Sequence, residues 1–506
     1  MLPGYEDLRA RYGDLHNHCD VSYGRGTLDQ ALHNARLQLD FASVTVHGAW
    51  PDVPEGDPDL GYLVDYHRVG FERARAGWDG YLARIDAADE PGRFVALPSF
   101  EWHSMAYGDH CVYFRDGAQS RILDVPDLPA LRAAVRALPT DALVIPHHVG
   151  YAHGFRGIDW GAFDPELSPV VEIVSFHGAA ESCDGPVPYL HAMGPLDERS
   201  TARHAWKRGL RFGVVGSTDH HNAVPGAYGF GRLGAWMGAL DRDGLFDALR
   251  RRRTYALTGD RIELAFTVDG AVMGDVVAAG RERDVQVAVR GGAGLEYVEV
   301  LHDERVIHRE SVLPQPYRGG LAKVHVEVGW GEADRPVAWD VELRVRDGEL
   351  VDVEPRFRGP YPSVVPPRGA DHAPHALERL GDGAVRFTTS TYPNPHSALP
   401  AMEGVSLEVR GDDATYLEAT VNGQRLCVPL RDLSEGDRTH HLGGFVSPAI
   451  AFHRAVPESE YAARFALPHR TGPVETDAYR VRVRQRNDQW AWSSPVWVEP
   501  GAPRRR

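Results

Sequence analysis

Two pairs of metal-ligand residues, each separated by one position, are the clearest chemical signal in this sequence. His16 and His18 form one pair, and Asp219 and His221 form the other. In an extended segment, residues i and i+2 point to the same side, about 6–7 Å apart along the strand, so both side chains of a pair can contact one ion. A single pair arises easily by chance among 25 histidines. Two pairs together predict a shared metal site.

Further ligand-type side chains accompany these pairs. Glu101 has two carboxylate oxygens and could bridge two ions, and the remaining candidates are His47, His110, His147 and His148. Zn²⁺, Mn²⁺ and Fe²⁺ suit a mixed nitrogen and oxygen ligand set, whereas thiolate-rich sites and all-oxygen Ca²⁺ sites have other compositions. The four cysteines are scattered and form no Cys-x-x-Cys pair. The sequence therefore predicts a site for several divalent ions, with His147 and His148 as competing ligands.

Apolar runs that end at polar residues predict the elements that position this chemistry. Such runs occupy residues 41–46, 94–100, 142–146, 170–176 and 212–218, and they end at His47, Glu101, His147, His177 and Asp219. Thr27 and Gln30 have the spacing of a capping box, which predicts a helix starting at residue 28. In α/β barrels the active site lies at the C-terminal ends of the strands. The recurrence predicts an α/β fold built from βα units.

The second half of the chain has a different pattern. From residue 261 onward, short alternating strands such as 285–289, 341–345 and 479–483 are separated by turns rich in Gly, Pro and Asp, which is typical of β-sandwiches. We predict a metal-binding barrel over 1–259, a β-sandwich-like domain over 260–358, and a second β-rich domain or a continuation of the β region over 376–506. The Pro-rich stretch 359–375 is predicted to be a linker or long loop.

The motifs together resemble the PHP (polymerase and histidinol phosphatase) superfamily. The resemblance rests on Asp14-Leu-His-Asn-His18, the run from Phe41 to His47, Glu101, Pro146-His-His148 and Ser217-Thr-Asp-His-His221. The stretches around Glu101, from Gly108 to Phe114 and from Trp490 to Val498 are similar to a large subfamily that carries extra β-structure. The resemblance implies a distorted TIM-like (β/α)7 barrel of PHP type, followed by a β-sandwich-like C-terminal region.

The resemblance also implies a ligand set for two or three divalent ions, with Mn²⁺ or Zn²⁺ favoured and Fe²⁺ as an alternative. By position, the first ion would be held by His16, His18, Glu101 and Asp219. The second would be held by Glu101, His110 and His147, with His148 as the alternative to His147. His47 and His221 would belong to a third position.

Two departures from the family pattern favour two ions over three. The chain has Thr45-Val46-His47 where the family usually has Thr-Asp-His, so one carboxylate is missing. Trinuclear members also carry a further histidine a few residues after His-x-His, and residues 19–26 contain none.

Two ions about 3.5–4 Å apart can generate a bridging hydroxide and hold the oxygens of an in-line displacement. We therefore predict a metal-dependent hydrolase of phosphate or sulfate esters of small molecules. The sequence contains neither the Gly-x-Ser-x-Gly elbow nor the P-loop motif. Two alternatives stay open. One is hydrolysis of another bond, such as a glycoside or a carboxylic ester, and the other is a non-catalytic β-rich binding protein.

Residues for proton transfer and substrate binding are predicted near the same strand ends. His103, His148 and His177 are candidates for protonating the leaving group. Arg25 and Arg156 lie in Gly-rich loops, where a guanidinium can bind an anionic substrate through two hydrogen bonds.

Composition restricts the partners. The formal net charge of −16 disfavours non-specific nucleic-acid binding. No apolar run approaches the roughly 20 residues that span a bilayer, and the first residues lack a basic segment followed by an apolar one. We expect a cytoplasmic protein that acts on a small anionic ester, without nucleic-acid or membrane partners.

Overall fold

The computed structural model describes residues 2–278, 280–329, 335–360, 374–392, 402–445, 447–471 and 477–500. The strands of the N-terminal part are β1 (Arg9–Asp14), β2 (Phe41–Ala42), β3 (Val46–Ala49), β4 (Val95–Ala96), β5 (Ser99–Trp102), β6 (His110–Phe114), β7 (Ala142–Pro146), β8 (Val170–Ser175), β9 (Gly178–Ala179), β10 (Gly213–Gly216), β11 (Arg232–Met237) and β12 (Thr254–Leu257). The helices between them are α1 (Leu28–Gln38), α2 (Gly61–Ala88), α3 (Leu128–Arg136), α4 (Ala202–Lys207) and α5 (Arg242–Arg250), with short 3-10 turns at Pro58–Leu60, Gly117–Gln119, Trp160–Ala162 and Glu198–Ser200.

These strands form mixed sheets. β1, β2 and β4 are parallel neighbours, as are β3 with β5 and β8 with β10. Antiparallel pairing places β11 beside β1 and β12 beside β11. It likewise places β6 beside β5 and β7 beside β6. Within the described ranges, none of these sheets closes on itself. The distorted barrel therefore stays a prediction.

Helix α1 begins as the sequence predicts. The Thr27 hydroxyl accepts a hydrogen bond from the Gln30 backbone N–H at 3.2 Å, and the Gln30 side chain accepts one from the Thr27 N–H at 2.7 Å. This reciprocal pair confirms the capping box, and it satisfies two N–H groups that the first helical turn leaves without partners. It also defines the end of the loop that runs from the His-x-His pair to α1.

The apolar run 41–46 is interrupted rather than continuous. Ser43 and Thr45 donate backbone hydrogen bonds to Asp14 and Asn17, at 2.9 and 2.8 Å, so the interruption stays beside the segment that follows β1. The strand partners change here, because β2 pairs with β1 and β4 whereas β3 pairs with β5. As a result His47 lies inside β3 and is paired with Glu101 of β5. Cross-strand partners point to the same face of a sheet, so the pairing brings two predicted ligands together.

The second half is composed of β-strands, as predicted. The strands are β13 (Glu263–Val268), β14 (Ala271–Val272), β15 (Val276–Ala278), β16 (Glu282–Arg290), β17 (Leu295–His302), β18 (Arg305–Ser311), β19 (Gly320–Gly329), β20 (Val337–Arg346), β21 (Glu349–Arg356), β22 (Ala376–Arg379), β23 (Ala384–Thr391), β24 (Glu403–Gly411), β25 (Tyr416–Val421), β26 (Gln424–Pro429), β27 (Arg438–His441), β28 (Ala449–Phe452), β29 (Val456–Pro457), β30 (Ala462–Arg470), β31 (Asp477–Gln485), β32 (Trp490–Ser493) and β33 (Val496–Glu499). The helices are the single turns α6 (Leu430–Leu433) and α7 (Glu458–Tyr461).

Two hydrophobic cores organise these strands. The first core joins β13–β17 with β31–β33, and we term these strands the first sandwich. The second core joins strands between β19 and β28, which we term the second sandwich. The chain thus leaves the first sandwich after β18, builds the second, and returns to the first at β30, which pairs with β16. The predicted limits 260–358 and 376–506 stay predictions for domains, whereas the cores describe one sandwich inserted into another. Residues 361–373 of the predicted linker lie outside the described residues.

The first sandwich is continuous with the N-terminal part. β32 pairs with β12, and the predicted hairpin of β31 with β32 is confirmed, with Arg484 opposite Trp490. The rings of Trp490 and Trp492 stack at 5.8 Å and belong to the same apolar cluster as Phe212 before β10. Among the described residues, none of the helices combines the length and the apolar character needed to cross a bilayer.

Candidate metal centre

The two ligand pairs meet because the segments that carry them run side by side. The backbone N–H of Asp219 donates to the His16 carbonyl at 2.7 Å, and that of His18 donates to the His220 carbonyl at 2.8 Å. Asp219 has a φ of 52°, a left-handed conformation that is uncommon outside glycine. Its Oδ1 lies 3.0 Å from the Nε2 of His18 and 3.3 Å from the Nε2 of His16, and the two Nε2 atoms are 3.1 Å apart.

Glu101 extends this cluster in two directions. Its Oε2 lies 3.8, 3.6 and 3.3 Å from the Nε2 atoms of His16, His18 and His47. Its Oε1 lies 2.9 Å from the Nε2 of His147. The two oxygens of one carboxylate therefore face different groups of imidazoles, which is the arrangement of a bridging ligand.

Hydrogen bonds on the far side of the rings set the direction of two histidines. His16 Nδ1 lies 3.3 Å from the buried carboxylate of Glu172, and His18 Nδ1 lies 2.7 Å from the Thr45 carbonyl oxygen. A carbonyl or carboxylate oxygen accepts a hydrogen bond from Nδ1–H, so each ring in its neutral form carries its lone pair on Nε2. The two Nε2 atoms face each other at 3.1 Å, and a proton or a metal cation between them removes the repulsion of their lone pairs. Burial by itself lowers the pKa of His16, but Cys111, Asp219 and Glu172 raise it well above its usual value, so the surroundings favour a positive charge at this position.

The distances fit a divalent ion. Ligand atoms about 2.1 Å from a common ion are separated by about 3.0 Å in octahedral and about 3.4 Å in tetrahedral coordination. The five contacts of Asp219, His16 and His18 with one another and of the two histidines with Glu101 fall close to this range, from 3.0 to 3.8 Å. Glu101 Oε2 is buried and has no hydrogen-bond partner among the described residues. The side chains present therefore fit a metal position.

Both carboxylates are held in the ionised form that binds metals. Burial by itself raises the pKa of Glu101, but the neighbouring His103 and His147 hold it well below its usual value. Burial likewise raises the pKa of Asp219, while His16 and hydrogen bonds from His177 and His18 lower it strongly. Burial lowers the pKa of His47 and of His147, which favours the neutral rings that act as ligands.

The pair His147 and His148 divides between two carboxylates. His147 contacts Glu101, and its ring lies 4.1 Å from that of His16. His148 has a φ of 31°, and its Nε2 lies 3.1 Å from Asp109 Oδ2. Ligand atoms of His147, His148, Glu101 and Asp109 all lie within 4.8 Å of one another, close enough for a second ion. Both imidazoles point inward, and His147 is the one beside the bridging carboxylate.

The register of β6 gives His110 and Cys111 different surroundings. Cys111 is paired with Glu101, whereas His110 is paired with Trp102 and Pro146. The Cys111 sulfur lies within 4.8 Å of the ring nitrogens of His16 and His147. His110 is buried, its Nδ1 donates to the Gly108 carbonyl at 2.9 Å, and burial lowers its pKa to about 3. The structure thus brings Cys111, rather than the predicted ligand His110, to the face that carries Glu101.

His47 and His221, the two residues assigned by resemblance to a third ion, lie close together. Together with His18 they form a buried group whose ring nitrogens are within 4.8 Å of one another. His221 Nδ1 contacts the Asp219 carbonyl at 2.9 Å, and the Tyr23 ring stacks on His47 at 3.5 Å.

The cluster forms the floor of a cavity of about 390 Å³, which we term the histidine cavity. The lining residues outside the cluster include the aromatic and apolar side chains of Tyr23, Tyr62, Leu63, Tyr66, Ala192 and Met193. This volume falls in the range of small-molecule sites, roughly 300–1,000 Å³.

Three of the predicted proton donors line this cavity. His103 Nδ1 lies 3.0 Å from Asp109 Oδ2, and its Nε2 is buried without a partner. His177 Nε2 lies 3.1 Å from Asp219 Oδ2, and Tyr151 contacts its Nδ1 at 2.9 Å. His148, the third, contacts Asp109.

The two predicted arginines differ in their contacts. Arg156 forms a short ion pair with Asp109, lies 2.8 Å from His103 Nδ1 and covers the Trp50 ring at 4.8 Å. The Arg25 backbone N–H donates to the His221 carbonyl at 2.8 Å, and its Nη2 has no hydrogen-bond partner among the described residues. Arg156 therefore lines the histidine cavity and is committed to Asp109, whereas Arg25 is not among the residues that line it.

Some site residues were missed by sequence reasoning. Glu172 stands inside the apolar strand β8, and a charged residue in such a run was an available signal. His67 lies on the buried face of α2 and lines the histidine cavity. Tyr23 and Cys111 had no sequence signal, because only the packing of the loop and the register of β6 place them at the site.

Comparison with known proteins gives distant similarities. No protein-family model matches the chain. An uncharacterised protein of Chlamydia pneumoniae is 26% identical over 252 residues, which cover 46% of this chain and 40% of the relative. An uncharacterised protein of Chlamydia trachomatis is 29% identical over 169 residues, 30% of this chain and 27% of the relative. The matched regions thus span less than half of these relatives.

A solved structure from Bacteroides vulgatus is also similar. It is described as a two-domain protein containing a predicted PHP-like metal-dependent phosphoesterase. The alignment covers 92% of this chain and 98% of that chain, with 12% identity and a TM-score of 0.31. A TM-score this low supports no argument about fold or activity.

Proposed function

We propose that this chain is a metal-dependent hydrolase that cleaves phosphate or sulfate esters of small molecules. The observation that carries the proposal is the convergence of the His16, His18 and Asp219 ligand atoms on one side of Glu101 and of His147 on the other side. The cluster lies at the floor of a cavity of ligand size. Buried imidazoles and carboxylates in this arrangement are costly without a cation.

The first ion would be held by His16, His18, Asp219 and Glu101, and the second by Glu101 and His147. His47 and His221 would serve a third position. Divalent ions in such a site activate water and stabilise charge on the oxygens of an ester. Zn²⁺, Mn²⁺ and Fe²⁺ match the mixed nitrogen and oxygen donors.

The chain's own groups would handle the leaving-group proton. Asp109 contacts His103 Nδ1 at 3.0 Å, which fixes the ring in the wall of the histidine cavity. We assign His103 as the proton donor because its Nε2 has no partner among the described residues, whereas the Nε2 atoms of His148 and His177 already contact carboxylates. Arg156 holds Asp109 in place through its ion pair.

Substrate selection would follow from the walls of the cavity. Its volume of about 390 Å³ admits a small molecule, and the aromatic rings of Tyr23, Tyr62 and Tyr66 favour an organic group with an apolar face.

The test is release of chromogenic leaving groups by chelator-stripped protein with and without Mn²⁺ or Zn²⁺. Aryl phosphates, aryl sulfates, aryl glycosides and aryl acetates form the panel. We expect metal-dependent release from a phosphate or sulfate ester, and a loss of at least about 10³-fold in Asp219→Ala, because the first ion loses a charged ligand. Asp124→Ala is the matched control, since Asp124 is exposed and pairs only with Arg75.

The other outcomes decide between the alternatives. Metal-dependent release only from glycosides or acetates would replace the proposed ester class with another bond. A third outcome would contradict the assigned site and favour a binding role. In it, the protein binds metal but releases no leaving group from any compound of the panel, and the Asp219→Ala variant retains its metal.

A further inference from the structure

A second cavity lies where the N-terminal part meets both sandwiches. Its volume is about 460 Å³. Tyr228 contributes from the loop that follows the Asp219 pair, Arg486 from the turn between β31 and β32, and Lys323 from β19. Arg356 and Arg358 contribute from the end of β21. We term this space the basic cavity. Its residues come from distant parts of the chain, and none of them belongs to the metal centre.

Positive charge predominates on the walls of the basic cavity. The lining cations are Lys323, Arg356, Arg358, Arg454 and Arg486, and the lining acids are Glu327 and Asp437. Both acids are already engaged by one residue, because His453 lies 2.6 Å from Glu327 and 2.9 Å from Asp437. The acids therefore contribute little to neutralising the arginines and the lysine.

Two of the cations have carboxylate partners outside the cavity. Arg454 forms an ion pair with Glu460 at 2.6 Å. Arg356 is almost fully buried, with Asp260 at 2.9 Å and Glu354 at 3.8 Å. Even so, two nitrogens of Arg356, Nε and Nη1, have no hydrogen-bond partner among the described residues.

The other three cations donate to backbone carbonyls. Lys323 Nζ donates to the Gly291 carbonyl at 2.7 Å. Arg358 donates to the carbonyls of Tyr228 and Met402, and Arg486 donates to that of Val312. A lysine has three N–H donors and an arginine has five, so most of their donors stay unused by these bonds. Glu354 and Glu408 lie near Lys323 on the side away from the basic cavity, whereas the carbonyls that accept from Arg358 and Arg486 carry no charge.

Packing holds the guanidinium groups in position. Arg356 and Arg358 both cover the Tyr228 ring, at 5.2 and 4.8 Å from its centre. An arginine that is fixed before binding loses less conformational entropy when it contacts a ligand. The positive field also acts on His325, whose pKa is lowered by burial and by Arg356 and neighbouring cations.

We propose that the basic cavity is a binding site for a small oxyanion, in which Lys323, Arg358 and Arg486 contact the phosphate, sulfate or carboxylate group of the ligand. A bound oxyanion compensates charges that the protein leaves unmatched, and its oxygens accept from the unused donors. The site is separate from the proposed hydrolytic centre and does not depend on the metals.

The experiment measures thermal unfolding of the full chain in increasing sulfate, phosphate or citrate, with sodium chloride at matched ionic strength as reference. A ligand that binds only the folded state raises the Tm in a saturable manner. We expect saturable stabilisation by at least one of these anions beyond the effect of chloride. The anion that binds most tightly identifies the preferred oxyanion group.

Two variants locate the effect. Arg486→Gln changes an exposed side chain and Lys323→Gln removes one charge, and each should weaken the apparent affinity about tenfold, as expected for one charge-assisted hydrogen bond. Arg425→Gln, an exposed arginine of the second sandwich that pairs with Glu418, is the control and should bind as the wild type does. If the anions stabilise the protein no more than chloride does, or stabilise Arg486→Gln and Lys323→Gln as strongly as the wild type, the proposal is overturned.

A third variant separates this site from the metal centre. The anion response should persist in chelator-stripped Asp219→Ala protein. Loss of the response in that variant, with retention in Arg486→Gln, would assign the anion to the histidine cavity instead and overturn the basic site.

Discussion

The histidine cavity and the basic cavity contain opposite kinds of charged group. Carboxylates and imidazoles gather in the first, and arginines and a lysine gather in the second. In the first, carboxylate oxygens and imidazole nitrogens converge at 3.0–3.8 Å. In the second, guanidinium and ammonium groups converge while their hydrogen bonds go to neutral carbonyls. Burial makes each arrangement unfavourable by itself. The comparison teaches that unmatched charge of either sign identifies the class of ligand, a cation in one cavity and an anion in the other.

The largest effect is expected from Glu101→Gln, a substitution in the histidine cavity. The substitution preserves shape but removes the charge that faces both groups of imidazoles, so we expect loss of bound metal and a fall in kcat of at least about 10³-fold. Metal per chain and turnover are measured on the same preparation. Glu72→Gln, on the exposed side of α2, is the control. Wild-type metal content and turnover in Glu101→Gln would remove the bridging carboxylate from the mechanism.

The second effect is on stability and concerns the basic cavity. Arg356→Met leaves Asp260 buried without its cation at 2.9 Å, and breaking a buried pair costs about 3–5 kcal/mol of unfolding free energy. Urea denaturation measures the change. Arg410→Met breaks an exposed pair with Glu349 and should cost less than about 1 kcal/mol. Equal losses in the two variants would show that Arg356 is not a buried anchor of this cavity.

The third effect tests the proton donor of the histidine cavity. His103→Gln should slow hydrolysis of esters with poor leaving groups by about 10²-fold and change dinitrophenyl esters little, because a good leaving group needs no proton. The measurement is the dependence of kcat on leaving-group pKa, with metal content checked in parallel. His441→Gln, which is exposed on β27, is the control. A uniform loss across all esters would assign His103 a structural role.

The smallest effect is a pH dependence of stability beside the basic cavity. Burial by itself lowers the pKa of His453, but Glu327 and Asp437 raise it above its usual value of 6.5. A raised folded-state pKa contributes stability that is complete below pH 6.5 and is lost as the pH rises through the folded pKa. The unfolding free energy of the wild type minus that of His453→Gln should decline above pH 6.5, by less than about 1 kcal/mol. A difference that does not change with pH would contradict the contacts of His453.

Local features of the fold follow from the sequence because they depend on neighbouring residues. The Thr27 and Gln30 capping box, the strand β7 and the hairpin of β31 with β32 agree with their predictions. The break between β2 and β3 does not follow from the apolar run 41–46. It depends on which distant segment accepts each backbone hydrogen bond.

The sequence by itself determined the chemistry of the metal centre, since His-x-His, Asp-x-His and the residues at strand ends specify the donors and their approximate spacing. Only the tertiary structure decided that Cys111 rather than His110 shares the face of Glu101, because one position along a strand reverses the direction of a side chain. The same holds for the basic cavity. Tyr228, Lys323, Arg356 and Arg486 form no motif along the chain, and they meet only because the N-terminal part and both sandwiches pack around one space.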